Sequence, residues 1–320
     1  MPAGPPLRRR TLLGAAAVAV LAGCADRSDR PTGTLRIASG GVGGVYHAYA
    51  DALAAVFRTA LPGLHPVVLS TAASVQNLNL VAAGQAHLGF TSADAAADGF
   101  HGTTPFPAPL PVVALGRIYE NYLHLVVRLD RQISRLADLR DRSVSIGAAG
   151  SGTELFATRV LPMVGLDLTR DLRAYRLDPS DAADLVASGR LDAMFFSGGI
   201  PTAAIVELAG RIPIALVPLG EYVAELRTRY REVYVKRTIP ASAYRLGAST
   251  DTVGVANYLV VHSAMPEPTG YWLTRTLFEH RDQIAAAHPA GSRLDRAAAI
   301  STQPLPLHPG ALRYYREAKG

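Results

Sequence analysis

The stretch Leu35-Arg36-Ile37-Ala38-Ser39-Gly40-Gly41-Val42-Gly43-Gly44-Val45-Tyr46 decides the architecture of the chain. Leu35 to Ala38 is a short apolar run and reads as a strand. After the Ser/Gly turn a helical periodicity runs from Tyr46 to Ala60, stopped by Leu61-Pro62-Gly63, and Pro66 to Ser70 is the next strand. The same unit returns at 143–177: strand Ser143 to Ile146, turn Gly147 to Gly152, and a helix from Thr153 to Val164 closed by Gly165. Short β-branched runs alternating with amphipathic stretches predict an α/β fold of parallel sheets covered by helices. Two such lobes with their turns facing one another enclose a cleft.

Outward from these units the rhythm continues. Ser74 to Ala83 reads as a helix and His87 to Thr91 as a strand. Val112 to Leu115 and Tyr122 to Val127 read as two separate strands. Further on come a helix from Asp181 to Ser188, a strand from Leu191 to Phe196, a helix from Thr202 to Ala209 and a strand from Ile214 to Val217. Val253 to Val261 is a strand, Tyr271 to Ala286 one helix, and Leu305 to Gly320 a short tail in which His308 has a structural part. No repeat at solenoid spacing is present.

The turns carry the chemistry. A helix start offers unpaired N–H donors and the positive end of the helix dipole, which suits an anion. Tyr46 follows the glycines of the first turn, and Ser151 and Thr153 add hydroxyls to the second. Thr71, Ser74, Gln76 and Asn77 open another helix, and Ser92 and Asp94 follow a strand. All lie at carboxyl ends of strands, where open α/β sheets bind ligands. The glycine run 40–44 has neither the Gly-Lys-Ser/Thr ending of a phosphate loop nor a dinucleotide fingerprint. Gly-x-Ser-x-Gly and His-Glu-x-x-His are missing, and the nine histidines form no pair at ligand spacing, so neither catalysis, a metal nor a cofactor is expected.

The amino terminus predicts export. Arg8, Arg9 and Arg10 precede an apolar run from Leu12 to Ala22 that is too short for a permanent span, and the run closes on Leu21-Ala22-Gly23-Cys24. Residues 1–23 read as a lipoprotein signal peptide similar to the bacterial lipobox, with Cys24, the chain's one cysteine, as the lipidation site. Arg9-Arg10-Thr11-Leu12-Leu13 also resembles a twin-arginine signal. Residues 24–33 are polar and read as a tether. The chain has 32 basic and 26 acidic residues, so loss of three leader arginines leaves a mature charge of +3, without the clustered patch a nucleic acid needs. An extracytoplasmic protein, lipid-anchored to the outer face of the cell membrane, is the expectation.

At its turns the chain resembles the TAXI family, the extracytoplasmic solute-binding subunits of TRAP transporters. The matching segments are Ile37 to Tyr46, Ser70 to Leu78, Gly84 to Asp94, Gly150-Ser151-Gly152-Thr153, Asp192 to Pro201 and the tail from Leu305 to Glu317, in family order. The resemblance implies a class II periplasmic-binding-protein fold with lobes at 34–128 plus 251–320 and at 129–250. It further implies a monomer that captures a small organic acid or amino acid, glutamate-like, for an integral-membrane TRAP permease. Carried over by position, the expected contacts are Gly43, Gly44, Tyr46, Thr71, Ser74, Gln76, Ser92, Asp94, Ser151, Gly152, Thr153, Ser197, Gly198 and Gly199, with Tyr46 and Phe196 covering the apolar part of the solute. Ser39 and Ser92 depart from the family's commoner Thr and Gln. A ligand-binding protein that reports to a membrane sensor would share this sequence, and a hydrolase using Ser151 is the enzymatic alternative.

Overall fold

Two long antiparallel strands organise the molecule, which a computed structural model describes for Met1 and residues 29–319. The leader, Cys24 and the first part of the tether lie outside the described residues. Strands β1 (Gly33–Ala38), β2 (Leu64–Leu69) and β3 (Leu88–Ser92) form one parallel set, with β1 in the centre. Strands β5 (Ser143–Ser145), β6 (Arg173–Tyr175) and β7 (Ala193–Gly198) form a second, with β5 in the centre. Between them run β4 (Val112–Arg128) and β10 (Thr250–His262), giving the order β2-β1-β3-β10-β4-β7-β5-β6. Strand β8 (Ile214–Leu216) pairs with β4 and β9 (Tyr234–Ile239) with β10.

Both predicted units are βαβ crossovers. Helix α1 (Val45–Ala60) joins β1 to β2, and the later unit contains the helix running from Gly152. In α1 the residues Tyr46, Tyr49, Ala50, Leu53 and Phe57 recur at three- and four-residue steps and bury one stripe against Ile37, Phe90 and Leu259 of the sheet. Burial of each large side chain contributes about 1.5–3 kcal/mol. After β2 come α2 (Ser74–Ala82), α3 (Ala93–His101), α4 (Gly152–Val160), α5 (Pro179–Ala187), α6 (Ala203–Arg211) and α7 (Val223–Tyr230). The chain ends with α8 (Glu267–Glu279), α9 (Arg281–Ala287), α10 (Arg296–Ala299) and α11 (Pro309–Glu317).

Some local expectations change. The two strands expected at 112–115 and 122–127 are one strand, because residues 116–121 contain no turn pair and remain in ladder with β10, Gly116 opposite Leu259 and Tyr119 opposite Asn257. A 17-residue strand spans about 55 Å. Its first half pairs with β10 and its second, from Tyr122, with β7. The helix expected at 271–286 breaks at His280 into α8 and α9. The tail is helical: His308 Nδ1 accepts from Gly310 N at 3.1 Å, capping α11, while Nε2 donates to Met265 O at 2.9 Å.

One buried ionic cluster ties the two parallel sets together. Arg159 on α4 pairs with Asp98 on α3 and lies 3.6 Å from Asp94. It also donates to the Tyr234 hydroxyl at 2.8 Å, and that hydroxyl donates to Asp94 at 2.8 Å. All four side chains are buried.

Candidate ligand site

The cleft lies at the carboxyl ends of β1, β5, β6 and β7. Four helix starts meet there: Gly44-Val45-Tyr46 of α1, Ala73-Ser74 of α2, Ser151-Gly152-Thr153 of α4 and Asp178-Pro179 of α5. Together they border a cavity of about 60 Å³. Gly147 turns the chain between β5 and α4 with φ +91°, a conformation that glycine adopts at no steric cost. Phe195, Phe196, Leu177 and Tyr119 supply apolar walls.

The two sides touch across the cleft. Gln76 N, in the first turn of α2, donates to Gly150 O at 3.1 Å. Ser180 Oγ donates to Val42 O at 3.4 Å, and the Asp178 carboxylate packs on Gly41, where a β-carbon would lie only 2.7 Å from Oδ1. A β-carbon on Gly152 would lie 2.9 Å from Ser74 Oγ and 3.2 Å from Ser92 Oγ. Gly152→Val should therefore hold the sides apart and weaken solute binding about tenfold to a hundredfold, read by calorimetry. Unchanged affinity in that variant would remove Gly152 from the contact surface.

Of the expected contacts, Gly44, Tyr46, Ser74, Ser151, Gly152, Thr153, Phe196, Ser197 and Gly198 border the cavity. The first-turn N–H groups of Gly152 and Thr153 have no acceptor within the helix. Ser151 Oγ accepts from Glu154 N at 3.0 Å and caps α4, while Thr153 Oγ1 accepts from Ser197 N at 3.0 Å. Tyr46 donates to Asn257 Oδ1, and burial raises its phenol well above the ordinary range, so it stays neutral.

The other expected residues are close by but do not border it. Thr71 and Gln76 hold the wall from behind: Thr71 Oγ1 accepts from Ala73 N at 3.1 Å and Gln76 Oε1 from Ala72 N at 2.6 Å. Between them Ala73 keeps φ +88°, ψ −138°, a strained backbone for a residue with a side chain. Ser92 is buried behind Ser74, whose Oγ accepts from Ser92 N at 3.1 Å. Asp94 belongs to the Arg159 cluster, Gly43 lies against Ser180, and Gly199 packs on the Tyr119 ring beside a separate cavity.

Sequence reading missed Asp178, Tyr119 and Asn121. Asp178 stands immediately before α5, with Pro179 at the first helical position, and makes no capping hydrogen bond. Asp-Pro ahead of an apolar periodicity is a helix-start signature and could have pointed to it. Among the described residues Asp178 is the one Asp or Glu in the lining, and no Arg, Lys or His joins it.

The arrangement is that of the two-lobed periplasmic-binding-protein fold, with a ligand cleft between α/β lobes. Residues 37–319 match the NMT1-like family, and the chain belongs to it. Among solved structures, an ancestral arginine-binding protein bound to arginine superposes with a TM-score of 0.50 at 15% identity, over 79% of this chain and 97% of that one. The aliphatic sulphonate-binding protein SsuA of Escherichia coli gives 0.48 at 17% identity, over 90% and 83%. SsuA of Xanthomonas axonopodis pv. citri, bound to MOPS, gives 0.49 at 18%, over 90% and 84%.

Proposed function

We propose that the protein is an extracytoplasmic solute-binding lipoprotein that captures a small amino-acid-type carboxylate for a TRAP-type permease. The observation that carries the reading is the cavity's charge pattern: helix N-termini from both lobes and a single carboxylate, Asp178, border the same space. Helix ends favour the solute's carboxylate and Asp178 its ammonium group. Tyr46 and Phe196 cover the carbon chain between them. Lobe 1 is 34–128 plus 251–320 and lobe 2 is 129–250, with β4 and β10 as crossovers that let the cleft open and close. Residues 24–33, lipidated at Cys24, tether this monomer beside its permease. The TAXI-like segments support the TRAP assignment over other membrane partners. With no Arg, Lys or His in the lining among the described residues, the site suits a net-neutral zwitterion better than a glutamate-like monoanion with a second carboxylate.

A thermal-shift screen of amino acids and simple carboxylates tests this. A bound amino acid at a hundred times its Kd should raise the melting temperature roughly 5–10 °C. Asp178→Asn should weaken amino-acid binding about tenfold and leave a simple monocarboxylate as tight or tighter. If amino acids are silent while a sugar or a cation shifts the midpoint, the reading is wrong.

A further inference from the structure

Four buried polar atoms near the inner end of the cavity have no hydrogen-bond partner among the described residues: Tyr119 OH, Asn121 Oδ1, Ser92 Oγ and Asn257 Nδ2. Buried polar groups are nearly always paired, so four together need an explanation. They sit on three adjacent strands, with Asn257 in register with Ser92 on β3 and with Tyr119 on β4. Tyr119 and Asn121 border the cavity, and Asn257 reaches it through the Tyr46 hydroxyl. Ser92 Oγ lies against Gly152, which borders the cavity from the other side.

The chemistry of this group is neutral. Asn121 offers an acceptor, Asn257 a donor, and the two hydroxyls can be either. No Arg, Lys or His in the lining neutralises a second negative charge, so a carboxylate placed here would be desolvated without a cation and would face the Asn121 oxygen. A hydroxyl or carboxamide, which both gives and accepts hydrogen bonds, matches the set.

We propose that Tyr119 and Asn121, which border the cavity, with Asn257 and Ser92 immediately behind them, form an inner subsite that selects solutes ending in an uncharged hydrogen-bonding group over those ending in a second carboxylate. The proposal rests on the reading of the cavity as a carboxylate-solute site and adds the identity of the solute's far end.

Calorimetry on the described chain with two matched pairs, serine against alanine and asparagine against aspartate, tests it. The polar, uncharged member of each pair should bind at least about tenfold tighter, since a site built for a hydrogen bond rejects an analogue that cannot make it. Tyr119→Phe and Ser92→Ala each remove a hydroxyl that has no partner in the free protein. Their melting temperatures without solute should therefore equal or exceed that of the parent. In both variants the serine-to-alanine preference should collapse towards one. Equal binding within both pairs, or a preference that survives both variants, overturns the subsite while the amino-acid reading stands. Silence from all four amino acids overturns both.

Discussion

Replacing Arg159 by leucine should cost about 3–5 kcal/mol of folding stability, the largest loss expected from a single change here. Asp98 and Asp94 would be left as buried carboxylates, at 6% and 3% side-chain exposure, with their cation gone. Asp94 keeps the Tyr234 hydroxyl and Ala95 N as donors, whereas Asp98 keeps only Thr103. The opposing forces are visible at Asp98: burial pushes its carboxyl up, Arg159 pulls it down, and burial wins. At Arg159 the balance falls the other way, burial being outweighed by Tyr234, Asp94 and Asp98, which hold its charge. Because desolvation offsets much of a buried pair's attraction, removing both partners should cost much less than removing one. Urea denaturation of Arg159→Leu and of Arg159→Leu with Asp98→Leu makes the comparison. A single-variant loss below about 1 kcal/mol, or a double variant no more stable than the single, contradicts this account.

Acid should destabilise the fold through His124 by about 3 kcal/mol between pH 6.5 and 4. The ring is buried on β4 between Phe196 and Tyr244, with centroids at 5.9 and 5.5 Å, and burial lowers its pKa to about 4. Nε2 meets the Tyr244 hydroxyl at 2.9 Å, while Nδ1 has no partner among the described residues. Below pH 6.5 the unfolded chain takes up a proton that the folded chain refuses. The stabilisation is thus complete above pH 6.5 and drains away as pH falls towards 4. His124→Phe should flatten this limb, because the Tyr244 hydroxyl still accepts from Thr202 N at 3.2 Å. Denaturation curves at pH 7, 5.5 and 4 read the difference. Parallel curves for parent and variant would place the acid sensitivity elsewhere.

The fold was legible in the sequence wherever punctuation was strong. Gly40 to Gly44 and Gly147 to Gly152 mark strand-to-helix turns because close helix starts need small residues, and both proved to be parallel βαβ units. Strand β4 was read as two pieces because a long strand through two lobes alternates environment, not turn chemistry. Residues 218–250 escaped assignment since α7 carries Glu225, Arg227 and Arg229, β9 carries Lys236 and Arg237, and both show little apolar period.

The site was legible in its helix ends and obscure in its floor. Ser74, Ser151 and Thr153 announce themselves as polar residues at helix starts. Thr71 and Gln76 have the same appearance, yet their side chains bond the backbone of Ala72 and Ala73. Sequence cannot say which way a donor turns. Tyr119 and Asn121 sit within a strand with no local mark, and only its pairing with β10 brings them beneath the cleft.

The two crossover strands are laddered to each other, from Val112 opposite His262 to Tyr122 opposite Gly254. The lobes are consequently not hung on independent linkers but share the two central strands of one ten-stranded sheet. Any opening of the cleft would therefore have to twist a hydrogen-bonded sheet against its own ladder, a motion with a built-in restoring force.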